Sequence, residues 1–179
     1  MPMPTQASKL VLDAKALEKT IAGLSGELVA SEKRDGEFIL VGIQTRGIPL
    51  AQRLAKGLNR RDVKIGRLDI NLYRDDLSKV ADMPVVKETS IPFDLEGARI
   101  LLVDDVLFTG RTVRSALDAI FDLGRPRRIE LLALVDRGGR ELPIQADFCG
   151  KSCDVAVDEV VKVKFLETDG VDEVVIAKL

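Results

Sequence analysis

Apolar and polar residues alternate along this chain with two periods. Leu17, Ile21, Leu24 and Leu28 fall on one stripe at helical spacing, and Asp13 stands where an N-cap belongs, so the pattern predicts a first helix through about Ser31. Phe38–Ile43 is a continuous apolar run of strand length, as expected for a strand covered on both faces. After it come the polar Gln44-Thr45-Arg46-Gly47 and a helical pattern over Pro49–Leu58, with the proline in the first turn. Val63–Leu72 reads as a strand, as do Ile100–Val103 and Ile129–Val135, with a helix at Thr112–Leu123 stopped by Gly124. Val160–Phe165 and Val174–Ala177 close the chain as strand-like segments. Residues 73–90 are polar and aperiodic, with a proline among them. A connection of that length in a compact domain is usually functional.

Strand, helix, strand, helix, strand means a parallel sheet with crossover helices, the α/β class, in which ligands bind at the carboxyl ends of strands where strand order reverses. No repeat or linker breaks the pattern, so one domain over 1–179 is expected. Composition narrows the chemistry. The 179 residues carry 27 basic and 29 acidic side chains, two cysteines and no histidine. The absent histidine removes Ser-His, Cys-His and His-metal chemistry. Cys149 and Cys153 cannot complete a zinc site by themselves and read as reduced structural thiols. A net charge of −2 argues against a uniformly positive surface, though Arg125, Arg127, Arg128, Arg137 and Arg140 leave room for a local basic face. No apolar run is long enough for a membrane span and no signal peptide is visible, so a cytoplasmic location is expected.

The densest chemistry lies in Val103-Asp104-Asp105-Val106-Leu107-Phe108-Thr109-Gly110-Arg111-Thr112. Two adjacent acids at a strand end are costly if buried unpaired and reasonable if they face hydroxyls or a metal. The loop behind them runs into an amphipathic helix, whose first amides suit a phosphate dianion. Gly110 would let backbone approach that phosphate, and Thr109 and Thr112 add hydroxyls. A ribose attached to the phosphate would lie over Asp104 and Asp105, so the string reads as a site for a 5-phosphoribosyl group. Its halves have plainer readings: Asp-Asp at a strand end also occurs in receiver domains and phosphatases, and Thr-Gly-Arg-Thr alone could be a helix cap.

The string resembles the PRPP signature of type I phosphoribosyltransferases. Val41–Ile48, Asp69–Lys79, Leu123–Pro126 and Leu134–Ile144 extend the similarity to the PyrR family, which combines regulation of pyrimidine operons with uracil phosphoribosyltransferase activity. The resemblance implies the type I fold: a mostly parallel central sheet flanked by helices, with a small hood (about 137–165 plus the N-terminal segment) and a flexible flap (about 73–90). It implies a PRPP and nucleotide site made of Thr45, Arg46, Gly47 and 104–112, with Asp104, Asp105 and Arg46 catalytic. Thr45-Arg46-Gly47 would be the pyrophosphate loop, where a non-proline cis peptide can occur; a simple turn is the alternative. Arg137 and Val161 would frame uracil, largely through backbone groups. Arg74, Lys79 and Lys87 of the flap would reach the pyrophosphate, unless 73–90 is an ordinary surface loop. Mg2+ would arrive with PRPP, with Asp104, Asp105 and Asp136 as candidate protein ligands, although Asp136 could instead be a structural cap.

The implied reaction is attack of uracil N1 on C1′ of PRPP, giving UMP and pyrophosphate, in a homo-oligomer of two or more chains. The family's other partner is pyrimidine-operon leader mRNA, whose hairpins need basic and stacking side chains. Ala22-Gly23-Leu24-Ser25-Gly26 offers none, Gly139 and Gln145 are small or neutral where bulkier or basic groups are expected, and 153–159 is acidic. RNA binding is therefore expected to be weak or absent. Two rival functions remain at this point: a nucleotide-sensing RNA-binding regulator with vestigial catalysis, and a transferase for another base such as a purine.

Overall fold

The structure, a computed structural model, describes residues 8–31, 37–73 and 88–179. Among the described residues eight strands, β1 (Lys9–Leu12), β2 (Phe38–Ile43), β3 (Lys64–Leu68), β4 (Arg99–Leu107), β5 (Arg128–Asp136), β6 (Phe148–Ser152), β7 (Glu159–Lys164) and β8 (Glu173–Lys178), form two sheets. The larger is parallel throughout, in the order β3-β2-β4-β5-β6. Its helices are α1 (Ala14–Ser31), α2 (Gly47–Gly57) and α3 (Arg111–Leu123), and a single turn, α4 (Leu166–Asp169), joins β7 to β8.

Alternation along the central strands assigns the helices to faces. Leu40, Leu101, Val103, Leu132 and Leu134 point toward α1 and α2, meeting Leu17, Ile21, Leu24, Leu50 and Leu54. Ile39, Val41, Ile43, Ile100, Leu102, Leu131 and Ala133 point the other way, onto Val113, Ala116, Ala119 and Ile120 of α3. The second sheet, antiparallel in the order β1-β8-β7, adds Val161, Val163, Phe165, Val174 and Ile176 to the first of these cores.

Several boundaries differ from the sequence reading. β3 stops at Leu68 instead of Leu72, because the Asp69 carboxylate accepts the Asn71 N–H at 2.9 Å and starts a 3-10 turn over Asn71–Tyr73. β4 runs on to Leu107, so the acid pair lies inside the strand; Val106 and Leu107 still pair with Val135 and Asp136. α2 begins at Gly47, two residues before Pro49. β6 and β1 were not foreseen: β6 is the half-covered outer strand of the large sheet, and β1 edges the small one. Asp13 does cap α1, its Oδ1 accepting the Ala16 N–H at 2.8 Å. Among the described residues no helix is long and apolar enough to cross a membrane.

Candidate active site

Strand order reverses between β2 and β4, so the loops leaving these two strands diverge and open a crevice at their carboxyl ends. Two glycines hold the crevice's floor tight. A Cβ on Gly47 would lie 2.4 Å from the Val103 carbonyl oxygen, and one on Gly42 would lie 2.6 Å from the Gly47 oxygen. Both positions need glycine because backbone crosses backbone there. The Gln44–Thr45 peptide bond is cis, and Gln44 N–H donates to the Leu68 carbonyl at 2.9 Å. Thr45, Arg46 and Gly47 consequently stand beside the end of β4.

Asp104 is buried, and its Oδ1 accepts the Asp105 N–H at 3.0 Å. Burial first, then the neighbouring Asp105 charge, pushes the Asp104 carboxyl well above the usual carboxylate range. Burial also raises Asp105, against the opposing pull of its hydrogen bond to Asp104 and of the Arg46 charge. Two carboxyls this close disfavour a second negative charge, and a diol or a cation at this place would relieve that repulsion.

Gly110 opens α3 at φ +92°. A Cβ there would lie 3.3 Å from both Leu142 and Ile144, so its smallness serves the overlying loop as well as the approach to a phosphate. The Thr109 carbonyl accepts the N–H groups of Glu141 and Leu142 at 2.9 and 3.0 Å, and Arg111 pairs with Glu141 at 2.7 Å. The Thr109 hydroxyl accepts the Arg111 N–H at 3.3 Å, while Arg111 and Thr112 of the first turn are exposed.

On the far side of β4, Arg137 N–H donates to the Leu107 carbonyl at 3.1 Å. The Arg137 guanidinium lies 4.0 Å from the centre of the Phe108 ring and donates to the carbonyls of Glu159 (3.0 Å) and Ala156 (3.4 Å). Its Nε is buried with no hydrogen-bond partner among the described residues. Gly139 adopts φ +71°, a backbone conformation that favours glycine, and a Cβ on it would lie 2.5 Å from the edge of the Phe108 ring. Val161 is buried in the shared core, so only its backbone is available to a ligand.

Two expected site residues are occupied by neighbours. Asp136 accepts the Gly138 N–H at 2.9 Å and the Arg140 Nη2 at 2.5 Å. Burial pushes its carboxyl up, but the Arg140 and Gly138 hydrogen bonds outweigh that and leave it below its ordinary value. The Arg46 guanidinium makes a two-point pair with Asp169, Nη2 to Oδ1 at 2.7 Å and Nε to Oδ2 at 3.2 Å. Arg140 and Asp169 had been given no role from sequence. Arg140 also donates to the Phe108 and Ile144 carbonyls, each at 2.8 Å.

The flap residues Arg74, Lys79 and Lys87 lie outside the described residues. The described roots are anchored: Ser115 Oγ donates to the Tyr73 carbonyl at 3.1 Å, the Tyr73 hydroxyl to Asp122 at 2.8 Å, and Ser90 pairs with Arg67. Cys149 and Cys153 are free thiols. Among the described residues no three acidic or cysteine side chains cluster closely enough to hold a metal unaided. One or two carboxylates suit Mg2+, which usually keeps waters and substrate phosphates as its other ligands.

A parallel sheet reversing at β2/β4 and an acid pair leading into a glycine-opened helix are the architecture of the type I phosphoribosyltransferase fold. The family model for the phosphoribosyl transferase domain matches residues 8–166, and a hypoxanthine phosphoribosyltransferase structure from Trypanosoma cruzi superposes with a TM-score of 0.72 at 16% identity, covering 95% of this chain and 96% of that one. Proteins named "Bifunctional protein PyrR" are similar over nearly the whole length: 54% identical in Deinococcus deserti, covering 92% of this chain and 91% of the relative, and 53% identical in Thermus thermophilus, covering 92% of each. The chain belongs to the PyrR family.

Proposed function

We propose that this protein is a uracil phosphoribosyltransferase, converting uracil and PRPP to UMP and pyrophosphate, that also regulates pyrimidine genes in response to UMP. The observation that carries the reading is the buried Asp104 and half-buried Asp105 leading into the Gly110-opened helix, opposite the Thr45–Gly47 turn. In this reading Asp104 and Asp105 accept the ribose 2′ and 3′ hydroxyls. The backbone of 106–112, with the hydroxyls of Thr109 and Thr112, holds the 5′-phosphate, and the amides and Arg46 of the opposite turn hold pyrophosphate. Arg137 and the Val161 backbone frame the base from the β5 side, where the unsatisfied Nε of Arg137 has a donor to offer.

Uracil N1 attacks C1′ as the bond to pyrophosphate breaks, through an oxocarbenium-like transition state. The protein's contribution is positioning and stabilisation of the departing charge. Mg2+ brought by PRPP would neutralise pyrophosphate charge, with Asp104 or Asp105 the fitting protein ligands; Asp136 is committed to Arg140. We place the protein in the cytoplasm as a homo-oligomer of two or more chains. The regulatory half of the proposal rests on the name its relatives carry. The outer face of α1 presents Ala22, Gly23 and Gly26 beyond its exposed Lys15 and Lys19, which are mixed with Glu18 and Glu27, and it has no exposed aromatic, so contact with leader RNA is expected to be weak. Filter binding with pyrimidine leader RNA checks this: salt-sensitive, UMP-enhanced, tight binding would overturn it.

A base panel tests the catalytic half. Uracil, orotate, guanine and hypoxanthine are each offered with PRPP and Mg2+, and nucleotide is separated by chromatography. UMP formation from uracil alone is expected. Turnover of a purine in its place would transfer the reading to another base, and no turnover with any base would leave a sensor.

A further inference from the structure

The 166–172 segment is fastened to α2 by two arginines. Arg53 donates to both Glu167 (2.9 and 2.5 Å) and Asp172 (3.1 and 2.7 Å) while lying 4.9 Å above the Phe165 ring. Arg46 does something different. It belongs to the turn ahead of α2, and its pair with Asp169 bridges residues 123 positions apart in sequence. The Asp169 carboxylate is itself fixed by the Phe165 N–H at 3.0 Å and the Thr168 hydroxyl at 2.7 Å. It is an acceptor already in place, with only 16% of its side chain exposed against 39% for Arg46. The pair uses Nε and Nη2 of Arg46 and takes no hydrogen bond from Nη1.

We infer that Asp169 is a positioning residue for the pyrophosphate subsite, holding the Arg46 guanidinium in one rotamer so that its remaining edge is presented to the leaving group. The inference rests on the proposed transferase reading and adds to it a residue outside both the signature string and the pyrophosphate turn. Two effects of the Asp169 charge oppose each other. It repels an incoming pyrophosphate, but beside a half-exposed arginine that repulsion is screened by solvent and by the guanidinium itself. It also removes the rotamer freedom of a long side chain before binding, worth roughly three- to tenfold in affinity for such a group. Ordering wins.

The test compares Asp169→Asn, which keeps an oxygen for Phe165 N–H but loses the charge, with Glu167→Gln, which loosens the same segment through Arg53 and leaves Arg46 alone. Binding of Mg-pyrophosphate to the full-length protein is measured by calorimetry, and steady-state kinetics are run beside it. D169N should weaken Mg-pyrophosphate binding and raise the PRPP KM by about three- to tenfold, with the uracil KM changed less than about twofold. E167Q should lower Tm and leave both affinities as they were. Asp169→Glu, which keeps the charge, should recover much of the loss, and serves as the readout if D169N folds poorly. Binding by D169N equal to or tighter than that of the natural protein, an equal loss in E167Q, or a natural protein that binds no Mg-pyrophosphate overturns the inference. Mg-pyrophosphate binding without turnover of any base would overturn the proposed reaction alone.

Discussion

Arg137 stacks its guanidinium on the Phe108 ring at 4.0 Å while its terminal nitrogens hold the Glu159 and Ala156 carbonyls. One side chain therefore joins the loop after β4, the end of β5 and the start of β7. A planar fork can stack and donate to two acceptors together; an ammonium cannot. Arg137→Lys should accordingly fail to substitute. The expected outcome in steady-state kinetics is a uracil KM raised by about tenfold or more, as for loss of about 1.4 kcal/mol of positioning, with the PRPP KM changed less than about twofold. An equal rise in both would show that Arg137 supports the whole crevice and not its base side.

The glycines separate into those forced by contact and those that are not. A methyl on Gly47 would meet the Val103 carbonyl at 2.4 Å, with backbone on both sides. Gly47→Ala should destabilise the protein by about 3 kcal/mol or more, since neither strand nor turn can give way. Gly23 and Gly26, inside α1, have nothing within 4 Å of a built Cβ. Alanine at each should stabilise the protein by about 0.5–1 kcal/mol through helix propensity. Thermal or urea unfolding of the three variants checks both signs.

The central sheet was legible in the sequence because its strands are covered on both faces and read as apolar runs. Polar residues inside strands were not. Arg99, which pairs with the buried Glu130 of β5 at 2.6 Å, extends β4 into a stretch that looks like loop, and Asp104 does the same at the other end of β4. β6 has only Phe148 and Cys149 as apolar residues and stayed hidden. For the site, the string 104–112 announced itself because its residues are contiguous. Asp169 and Arg140 did not, since each acts by reaching a segment whose proximity only the folded chain creates.

Arg140 anchors Asp136, Phe108 and Ile144 at once. Arg140→Met keeps the stem's bulk and removes every donor. Loss of hydrogen bonds to a charged acceptor and two carbonyls should cost about 1–3 kcal/mol. Its pH dependence has a defined sign. The folded Asp136 carboxyl lies below its ordinary value, so the stabilisation it brings is fully present above the unfolded carboxylate pKa of about 3.9 and is lost as pH falls through the lowered folded value. The stability gap between the natural protein and R140M should be constant near neutral pH and narrow below about pH 4. A gap that instead widened on acidification would mean that Asp136 is not the partner that matters.

Asp104 carries the opposite sign. Its carboxyl is raised by burial and by the Asp105 charge, so its contribution to the unliganded fold is fully present below the unfolded pKa and is lost as pH rises through the raised folded value. At pH 8, above the unfolded carboxylate range, the raised folded value works against the fold. Asp104→Asn is neutral at every pH and keeps an oxygen for the Asp105 N–H. It should raise Tm at pH 8 by about 2–4 °C, the shift about 1 kcal/mol produces in a chain of this size, and the gain should shrink toward pH 4. The Asp104→Asn, Asp105→Asn double variant should remain folded and lose turnover by about a hundredfold or more, because neither amide offers the charge that a ribose diol or Mg2+ meets in the transition state. Scanning calorimetry at the two pH values, with and without Mg-PRPP, reads both halves: Mg-PRPP should stabilise the natural protein and leave the double variant unmoved. A single variant less stable than the natural protein at pH 8 would mean that the Asp104 charge already has its counterpart within the protein, and a double variant still stabilised by Mg-PRPP would take the diol contact away from these two acids.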